Sequence, residues 1–150
     1  MASYSFLDVA ATLNGPGGSI QLGAGAGTAE EGITIERRGE RNTMTIGSDG
    51  EGMHSLHADK SSTITVRLLK TSPTNQLLSV MFDLQSQASS LWGQNVIAVS
   101  TPNGAGDITT ARGVAFRQHT PLTYAKEGGM NTWTFDAIST DGLLGVAPGQ

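Results

Sequence analysis

The sequence is short of several residue types, and each shortage excludes a class of function. It contains no cysteine, so neither a disulfide nor a thiolate nucleophile is available. Its four Phe, two Trp and two Tyr are too few for a surface that stacks sugars or bases on sets of rings. No run approaches the roughly 18 apolar residues of a membrane-spanning helix. The start, MASYSFLDVA, lacks a basic segment and carries Asp8 inside the apolar stretch, so we expect no secretory signal, no membrane partner and synthesis in a cytoplasm.

The sequence also lacks an excess of positive charge. Its formal net charge is −4, whereas a dedicated nucleic-acid binder normally presents a basic face. The one basic cluster, Arg37, Arg38 and Arg41, is interleaved with Glu36 and Glu40. Alternating charge of this kind is typical of a solvated, self-neutralising surface.

Glycine, by contrast, is abundant. Its 20 occurrences in 150 residues are about twice the usual ~7% share, which favours many tight turns over long helices. The length suits one domain, and neither a repeat nor a linker divides residues 1–150. The composition therefore predicts a single, β-rich domain.

The most informative segment runs from Ser62 to Leu84 and predicts a strand that leads into a helix. Apolar and polar residues alternate from Ser62 to Leu69, as in a strand with one buried face. Ser72 can cap a helix whose first residue is Pro73 and which ends near Gln87. Its apolar residues at helical spacing are Leu77, Leu78, Met81, Phe82 and Leu84. We expect the stripe of Leu77, Met81 and Leu84 to be covered by the sheet or by a second subunit.

Further strands follow from period-two patterns and turn residues. Ile33–Glu36 and Thr43–Ile46 are interpreted as an antiparallel pair across the charged turn Arg37–Arg41. In the last strand, Trp133, Phe135 and Ala137 are expected to point inward. The Gly-rich tail from Asp141 is expected to be loosely held. The remaining predicted strands are Tyr4–Leu13, Ser19–Leu22, Gln94–Val99, Ile108–Gln118 and Asn131–Ile138.

A long polar segment from Gly47 to Ser61 shows little periodicity and is interpreted as a loop that is disordered before assembly. Loops of this length in a compact domain are usually functional or mobile. Met53 and Leu56 provide apolar anchors that a neighbouring molecule could bury. His54 and His57, with acidic residues nearby and His119 farther along the chain, form the best metal candidate. The set lacks the closed ligand pattern of a zinc site and the spacing of a calcium loop, so no metal is predicted.

No other motif supports catalysis or a cofactor. Gly23–Gly27 resembles a phosphate loop only in its glycines, because no Gly-Lys-Ser or Gly-Lys-Thr and no helix follow it. The sequence has no G-x-S-x-G elbow and no carboxylate pair in an evidently apolar setting. The protein is therefore expected not to be an enzyme.

Four segments resemble a family of phage structural proteins, the inner tail-tube proteins of contractile-tailed bacteriophages. The segment that contains TMTIGSDGEGMHSLH followed by TVRLLKTSPTNQLL is the most specific, and the similarity extends over nearly the whole chain. The segments are SYSFLDVAATLNGPGGSIQLG, EEGITIERRGERNTMTIGSDGEGMHSLHADKSSTITVRLLKTSPTNQLL, LWGQNVIAVS and YAKEGGMNTWTFDA.

This resemblance implies a role in assembly rather than in chemistry. It implies a mainly β fold with one α-helix, in which packed antiparallel β-sheets form a sandwich or barrel of the tail-tube type. It also implies that the subunits form a homo-hexameric ring that stacks into a hollow tube in the virion tail, assembled in the host cytoplasm. The implied partners are tail sheath, tape-measure and baseplate or terminator proteins, with DNA passing through without specific binding. A tube of a phage-tail-like bacteriocin or secretion machine is a close alternative. A small β-sandwich module that binds a ligand through residues 47–61 is an alternative of another class.

Two sets of residues are assigned to this role. Met53, His54, Leu56 and His57 are expected at a subunit interface. Glu36 and Asp136 are expected to line the lumen, among Thr, Ser and Gln from alternating strand faces, with any arginine there paired to an acid. The reason is that phosphates attract free basic residues strongly, so a conduit for DNA should present few of them.

Overall fold

Nine strands and one α-helix make up the described part of the chain, which comprises residues 5–23, 28–101 and 106–145 of a computed structural model. The helix, α1, is Thr74–Gln85, and a short 3-10 turn, Phe6–Asp8, precedes the first strand. The strands are β1 (Ala10–Gly15), β2 (Gly18–Gln21), β3 (Thr28–Arg37), β4 (Asn42–Ile46), β5 (Gly52–Leu56), β6 (Ser62–Leu69), β7 (Asn95–Ser100), β8 (Ile108–Gln118) and β9 (Met130–Leu143).

Seven of the strands form one antiparallel sheet in the order β2-β1-β7-β8-β9-β6-β3, while β4 and β5 pair only with each other. Buried side chains from both ends of this order, such as Leu13 of β1 and Val66 of β6, belong to one hydrophobic cluster. The sheet therefore curls over its own core as a sandwich does, and β2 and β3 remain unpaired with each other, so it does not close into a barrel. The predicted fold class, mainly β with one α-helix, is confirmed.

Aromatic side chains fill the centre of this core. Trp133, Phe116, Phe135 and Leu13 are among the largest fully buried side chains. The ring centroids of Phe116 and Phe135 lie 4.8 Å apart, and those of Phe116 and Trp133 lie 6.0 Å apart at 73°. The inward positions predicted for Trp133, Phe135 and Ala137 are confirmed.

The helix starts as its sequence predicts, but it buries a different face. The Ser72 hydroxyl accepts a hydrogen bond from the Thr74 N–H (3.3 Å), and Pro73 already has helical dihedral angles. The buried residues are Thr74, Leu78, Met81 and Gln85, which follow one face at helical spacing. Leu77 is 54% exposed and Leu84 is 37% exposed. Of the stripe that was expected to be covered by the sheet or by a second subunit, only Met81 is therefore buried within one chain.

The predicted pairing of Ile33–Glu36 with Thr43–Ile46 is also wrong. Strand β3 pairs with β6, with Ile35 opposite Ile64. Strand β4 instead pairs with β5, with Met44 opposite His54. The physical reason is burial, because the apolar side chains of β3 complete the core beside β6, whereas every residue of β4 is exposed.

Other boundaries are corrected in detail. The loop predicted over Gly47–Ser61 contains strand β5 and is not a loop throughout. The first strand begins at Ala10, and β9 continues to Leu143, so the start of the tail is an ordered strand rather than a loose end. The described residues do not include Tyr4 or the glycines of residues 24–27, so the predictions for them stay predictions. The same holds for residues 102–105, where the sequence Pro102-Asn103-Gly104-Ala105-Gly106 predicts a turn.

The register places the two connections of β6 at opposite ends of the sheet. Arg37 pairs with Ser62 at one end of the β3–β6 ladder, where the β4–β5 segment is inserted. Thr28 pairs with Leu68 at the other end, and α1 follows shortly after. The β4–β5 segment therefore leaves one end of the sheet and α1 begins at the other.

Candidate assembly surfaces

The segment of residues 38–61, hereafter the hairpin, projects from the sheet without a layer of its own to pack on. Its strands β4 and β5 form a two-stranded ladder, and nine of their ten residues are exposed. A lone two-stranded hairpin is at best marginally stable in water, because it buries little apolar surface. Its large apolar side chains are nevertheless exposed: Met44 58%, Ile46 54%, Met53 59% and Leu56 81%. The hairpin therefore leaves its large apolar side chains exposed in the single chain.

The β4–β5 register divides these side chains between two faces. Met44 and Ile46 share one face with His54 and Leu56, since directly opposed residues lie on the same side of a ladder. Met53 lies on the other face with Thr43, Thr45 and Ser55. The sequence did not indicate Met44 and Ile46 as interface residues, because their segment was paired with Ile33–Glu36 instead of with β5.

All four predicted interface residues lie on the hairpin and are exposed. The His54 ring bonds to the Asn42 side chain (3.2 Å), and the His57 ring bonds to the Thr43 hydroxyl (2.5 Å). Each histidine therefore ties one strand of the ribbon to the other. No three His, Asp or Glu side chains come close enough to hold a metal ion within residues 5–23, 28–101 and 106–145.

His119, the third histidine considered for a metal, is an internal contact between α1 and the sheet. Its Nε2 lies 3.0 Å from the Ser79 hydroxyl of the helix, and its Nδ1 lies 3.0 Å from the Thr120 carbonyl oxygen. The ring meets Phe82 and Trp133 edge to face, at centroid distances of 5.6 and 4.9 Å. The structure does not bring this side chain together with His54 or His57.

Where the hairpin joins the sheet, charged side chains line a cleft of about 300 Å³, hereafter the base cleft. Arg37 donates a hydrogen bond to the Thr140 carbonyl oxygen, and Arg41 donates one to the Asp59 carbonyl oxygen (3.2 Å). On the other wall, Asp141 pairs with Lys60 (3.3 Å) and with Arg112 (3.7 Å). These side chains are largely exposed, so each ion pair contributes little stability by itself.

Local hydrogen bonds hold Asp59 of the base cleft in its charged form. The pKa of its carboxyl group is lowered from the ordinary value of 3.8, first by the hydrogen bonds from Ser61 and then by the nearby Arg38 and Arg41. The Ser61 N–H donates to Asp59 Oδ1 at 2.9 Å. The Asp59 carboxylate therefore stays ionised and holds residues 59–61, the part of the hairpin that leads into β6.

The two predicted lumen residues lie on one polar face of the sheet. Glu36 is opposite Thr63, Thr63 is opposite Asp136, and Asp136 is opposite Ala115, which forms one row across β3, β6, β9 and β8. Arg117 spans this row, because its Nη2 donates to Asp136 Oδ1 (2.6 Å) and to the Thr63 hydroxyl (3.2 Å). The carboxylate of Asp136 raises the pKa of Arg117 further, chiefly through this hydrogen bond.

Arg67 lies on the same polar face and donates a hydrogen bond to the Thr34 hydroxyl (3.2 Å). None of the carboxylates from Glu36 to Asp141 whose side chains the structure describes lies within 4 Å of it. Arg37 does not belong to this face, since it alternates with Glu36 and contacts Thr140 at the base cleft. Among these described side chains, Arg67 and Arg117 are balanced in charge by Glu36 and Asp136.

The outer side of α1 forms a second apolar surface. Leu77, Val80 and Leu84 are exposed there, and a groove of about 290 Å³ runs between them and the turn that contains Gly17 and Ser19. In the described part of the chain, no helix is long and apolar enough to cross a bilayer. The described surfaces thus consist of a projecting hairpin, a neutral polar face and an apolar helix side.

The overall fold is similar to that of solved structures from a prophage and from contractile injection systems. A chain from "Cryo-EM structure of the anti-feeding prophage cap (AFP tube terminating cap)" superposes with a TM-score of 0.57 at 12% identity, covering 96% of this chain and 94% of that one. A chain of the PVC sheath-tube complex of an extracellular contractile injection system in its extended state gives 0.56 at 13% identity, covering 96% and 99%. A chain of the PVC sheath/tube terminator gives 0.56 at 12%, covering 95% and 98%.

The family itself is established by sequence. A family model described as "Bacteriophage PhiTE tail tube protein" matches residues 1–145, so the chain belongs to this phage tail tube family. No curated protein sequence matches the chain. The resemblance drawn from the sequence is therefore confirmed at the level of the family.

Proposed function

We propose that six copies of this chain form a ring and that stacked rings form the hollow tail tube of a bacteriophage, through which DNA passes during ejection. The role is structural and not enzymatic. The observation that carries the proposal is the hairpin, whose exposed apolar residues have no partner layer among the described residues. A second copy supplies that layer most simply, because tail tube proteins act as repeated subunits.

The positions of the surfaces support stacking. The hairpin projects from one end of the sheet, so a neighbouring copy can receive it. The projecting element and the surface that receives it are different parts of the subunit, so the contact is heterologous, and contacts of this type generate rings or open stacks. The interface residues Met53, His54, Leu56 and His57 all lie on this projecting element.

Contacts within one ring can use the sheet edges. Among the described residues, β2 and β3 each pair on one side only, so their outer backbone groups are free to bond to another strand. Unprotected edges are a liability in a monomer and a means of assembly in an oligomer. Two free edges on one subunit suit a closed ring, in which every edge is used.

The polar face that contains Glu36 and Asp136 is proposed as the lining of the lumen. It presents Thr side chains and a closed Arg117–Asp136 pair, so it offers a polyanion few free cations to hold. DNA would pass through without specific binding. Arg67 also lies on this face, where it donates a hydrogen bond to the Thr34 hydroxyl.

The proposed partners are the tail sheath outside the tube, a tape-measure protein inside it and baseplate and terminator proteins at its ends. Support comes from the structural neighbours, which belong to a sheath-tube complex, a sheath/tube terminator and a baseplate. The exposed side of α1, with Leu77 and Val80, is a surface that the sheath could cover. We place the protein in the virion tail, assembled in the host cytoplasm.

A tube of a bacteriocin or secretion machine is the second candidate, because the matching solved structures come from injection systems. A ligand-binding sandwich module predicts a stable monomer instead. Negative-stain electron microscopy of the purified protein over a range of concentrations separates these classes. Rings with a central hole, or tubes, are expected; monomers at every concentration would overturn the tube. Antibody labelling identifies particles from the native source that contain this protein. A test for packaged DNA in those particles then separates a phage from a bacteriocin.

A further inference from the structure

The hairpin separates charge along its length, with anions at the tip and cations at the base. Asp49 and Glu51 lie in the exposed turn between β4 and β5, and neither forms an ion pair within the described chain. The base cleft is lined by three cations, Arg37, Arg41 and Lys60, and by two carboxylates, Asp59 and Asp141. Two further cations lie close to these carboxylates, Arg38 near Asp59 and Arg112 beside Asp141. An acidic tip and a basic base therefore occur in one element of a protein whose formal net charge is −4.

The tip cannot neutralise the base of its own chain. The β4–β5 ladder is paired continuously from Asn42–Leu56 to Ile46–Gly52, so it cannot fold back on itself. Five residues of strand at about 3.3 Å each span roughly 16 Å. That separation exceeds the screening length of about 8 Å at physiological ionic strength. The two charged regions of one chain are thus independent of each other.

Two arginines of the base cleft retain unused hydrogen-bond donors. Arg37 and Arg41 each donate to one backbone carbonyl oxygen, and neither has a carboxylate within 4 Å among the described residues. A guanidinium group carries five N–H donors in a planar fork. This fork matches a carboxylate, which it can bind through two parallel hydrogen bonds. Both side chains are exposed at the cleft, so an incoming acidic group can reach them.

We propose that the base cleft of one subunit binds the hairpin tip of another copy. In this contact Arg37 and Arg41 donate hydrogen bonds to the carboxylates of Asp49 and Glu51. The proposal rests on the tube function and names the contact that joins its subunits. A second copy is the occupant because it carries the complementary charge on an element that projects away from its own base. In the bound state, strands β4 and β5 of the inserted hairpin, which carry Met44 and Ile46, lie against the subunit that supplies the base cleft. That subunit then also covers the exposed apolar residues of the hairpin.

The contact is directional, so it can be tested by exchanging charges. A base-reversed variant, Arg37→Glu/Arg41→Glu, has an acidic base and an acidic tip. A tip-reversed variant, Asp49→Lys/Glu51→Lys, has a basic base and a basic tip. Each is expected to raise the critical concentration for assembly at least about tenfold, because like charges then meet at every contact. An equimolar mixture restores opposite charge at each contact and should assemble near the wild-type concentration.

Lys126→Glu is the control for a charge reversal away from the contact, since Lys126 is exposed and lies outside the hairpin. Assembly is followed by light scattering and electron microscopy, and circular dichroism verifies that each variant is folded. If charge reversal unfolds the base, Arg37→Gln/Arg41→Gln replaces it, with a smaller rise in critical concentration expected.

The outcomes distinguish this inference from the proposed function. A wild-type protein that never assembles would overturn the tube itself. A wild-type protein that assembles, with single reversals that assemble equally well, would overturn the tip-to-base contact and leave the tube intact. Reversals that block assembly without rescue in the mixture would also overturn it, because the two regions would then not meet each other.

Discussion

Gln85 and Asn95 exchange two side-chain hydrogen bonds, of 2.7 and 2.8 Å, where the end of α1 meets the start of β7. Both side chains are fully buried, and Gln85 also donates to the Pro16 carbonyl oxygen at 2.9 Å. Gly15 leaves room for this joint, because a Cβ there would lie 1.9 Å from Asn95 Oδ1. The amide pair therefore joins the helix, the β1–β2 turn and β7 at one point.

We predict that Gln85→Ala lowers the free energy of unfolding by about 1–3 kcal/mol, because the buried Asn95 amide loses its partner. The matched control is Gln87→Ala, since Gln87 is exposed just beyond the helix, and there the change should stay within about 0.5 kcal/mol. Urea denaturation of the soluble subunit measures both. Equal values for the two variants would show that the amide pair contributes no net stability.

Two adjacent leucines of α1 should respond differently to truncation. Leu78→Ala is expected to cost about 2–5 kcal/mol, because Leu78 is fully buried. Leu77→Ala should cost less than about 1 kcal/mol in the free subunit, because Leu77 is 54% exposed. Chemical denaturation under conditions without assembly gives both values. A large loss at Leu77 would mean that the stripe first expected from the sequence is covered in the free chain.

Removal of the hairpin ribbon should separate folding from assembly. Replacing residues 42–56 with a short Gly-Ser turn removes no residue of the hydrophobic core, and Arg41 and His57 are already joined by a backbone hydrogen bond of 2.9 Å. We expect a folded monomer with nearly wild-type thermal stability that forms neither rings nor stacks. Circular dichroism and electron microscopy test the two parts. Tubes of normal length from this variant would contradict an assembly role for the hairpin.

The polar face should acquire affinity for DNA when its ion pair is broken. Wild-type tubes are expected to show no measurable binding of duplex DNA at physiological salt. Asp136→Asn removes the anion that holds Arg117, so tubes of this variant should bind DNA in a salt-dependent manner. The double variant Arg117→Gln/Asp136→Asn removes both charges and should again release DNA. Mobility-shift assays over a range of salt concentrations measure all three; salt-dependent retention by the wild type would argue against this face as the lining.

Asp59 should titrate below its ordinary pKa of 3.8. A lowered pKa in the folded state means that the carboxylate stabilises the fold above about pH 4 and that this contribution is lost as the pH falls through the folded pKa. Because Ser61 is the largest cause, Ser61→Ala should raise the pKa more than Arg38→Gln does. Carboxyl chemical shifts followed by NMR report each value. A wild-type midpoint at or above 3.8 would remove the basis for this expectation.

The sequence predicted those elements whose burial is periodic. Strands β6 and β8 have the predicted bounds, Ser62–Leu69 and Ile108–Gln118, because each carries an apolar row that the core requires. The face of α1 was not predictable in the same way. Its apolar residues surround more than one face, and Gln85, a polar residue, is one of those that point inward. Its partner Asn95 lies only ten residues farther along the chain, but two polar amides leave no signal in hydrophobic periodicity.

The hairpin was the main error for a related reason. Its β5 segment, GMHSL, has no buried row, and its partner β4 has five exposed residues, so the pairing leaves no trace in hydrophobic periodicity. The predicted interface residues were nevertheless found on this exposed element, because Met53 and Leu56 are apolar residues in a polar setting. Strand alternation predicted outward positions for Glu36 and Asp136, but their shared row depends on the β3–β6 and β6–β9 registers. Its ion pair with Arg117 depended on the β8–β9 register, which the sequence does not specify.

The link between the β3–β6 ladder and the β4–β5 ladder has a consequence for the rate at which the chain folds. Backbone bonds at Arg38–Ser61 and Arg41–His57 connect the two ladders, so the ribbon can form first from neighbouring residues and extend toward the core. Closing a short turn takes far less time and entropy than joining β3 to β6 across a free connection. The segment proposed to join subunits would then also form early in folding and bring β3 and β6 into register within each newly made chain.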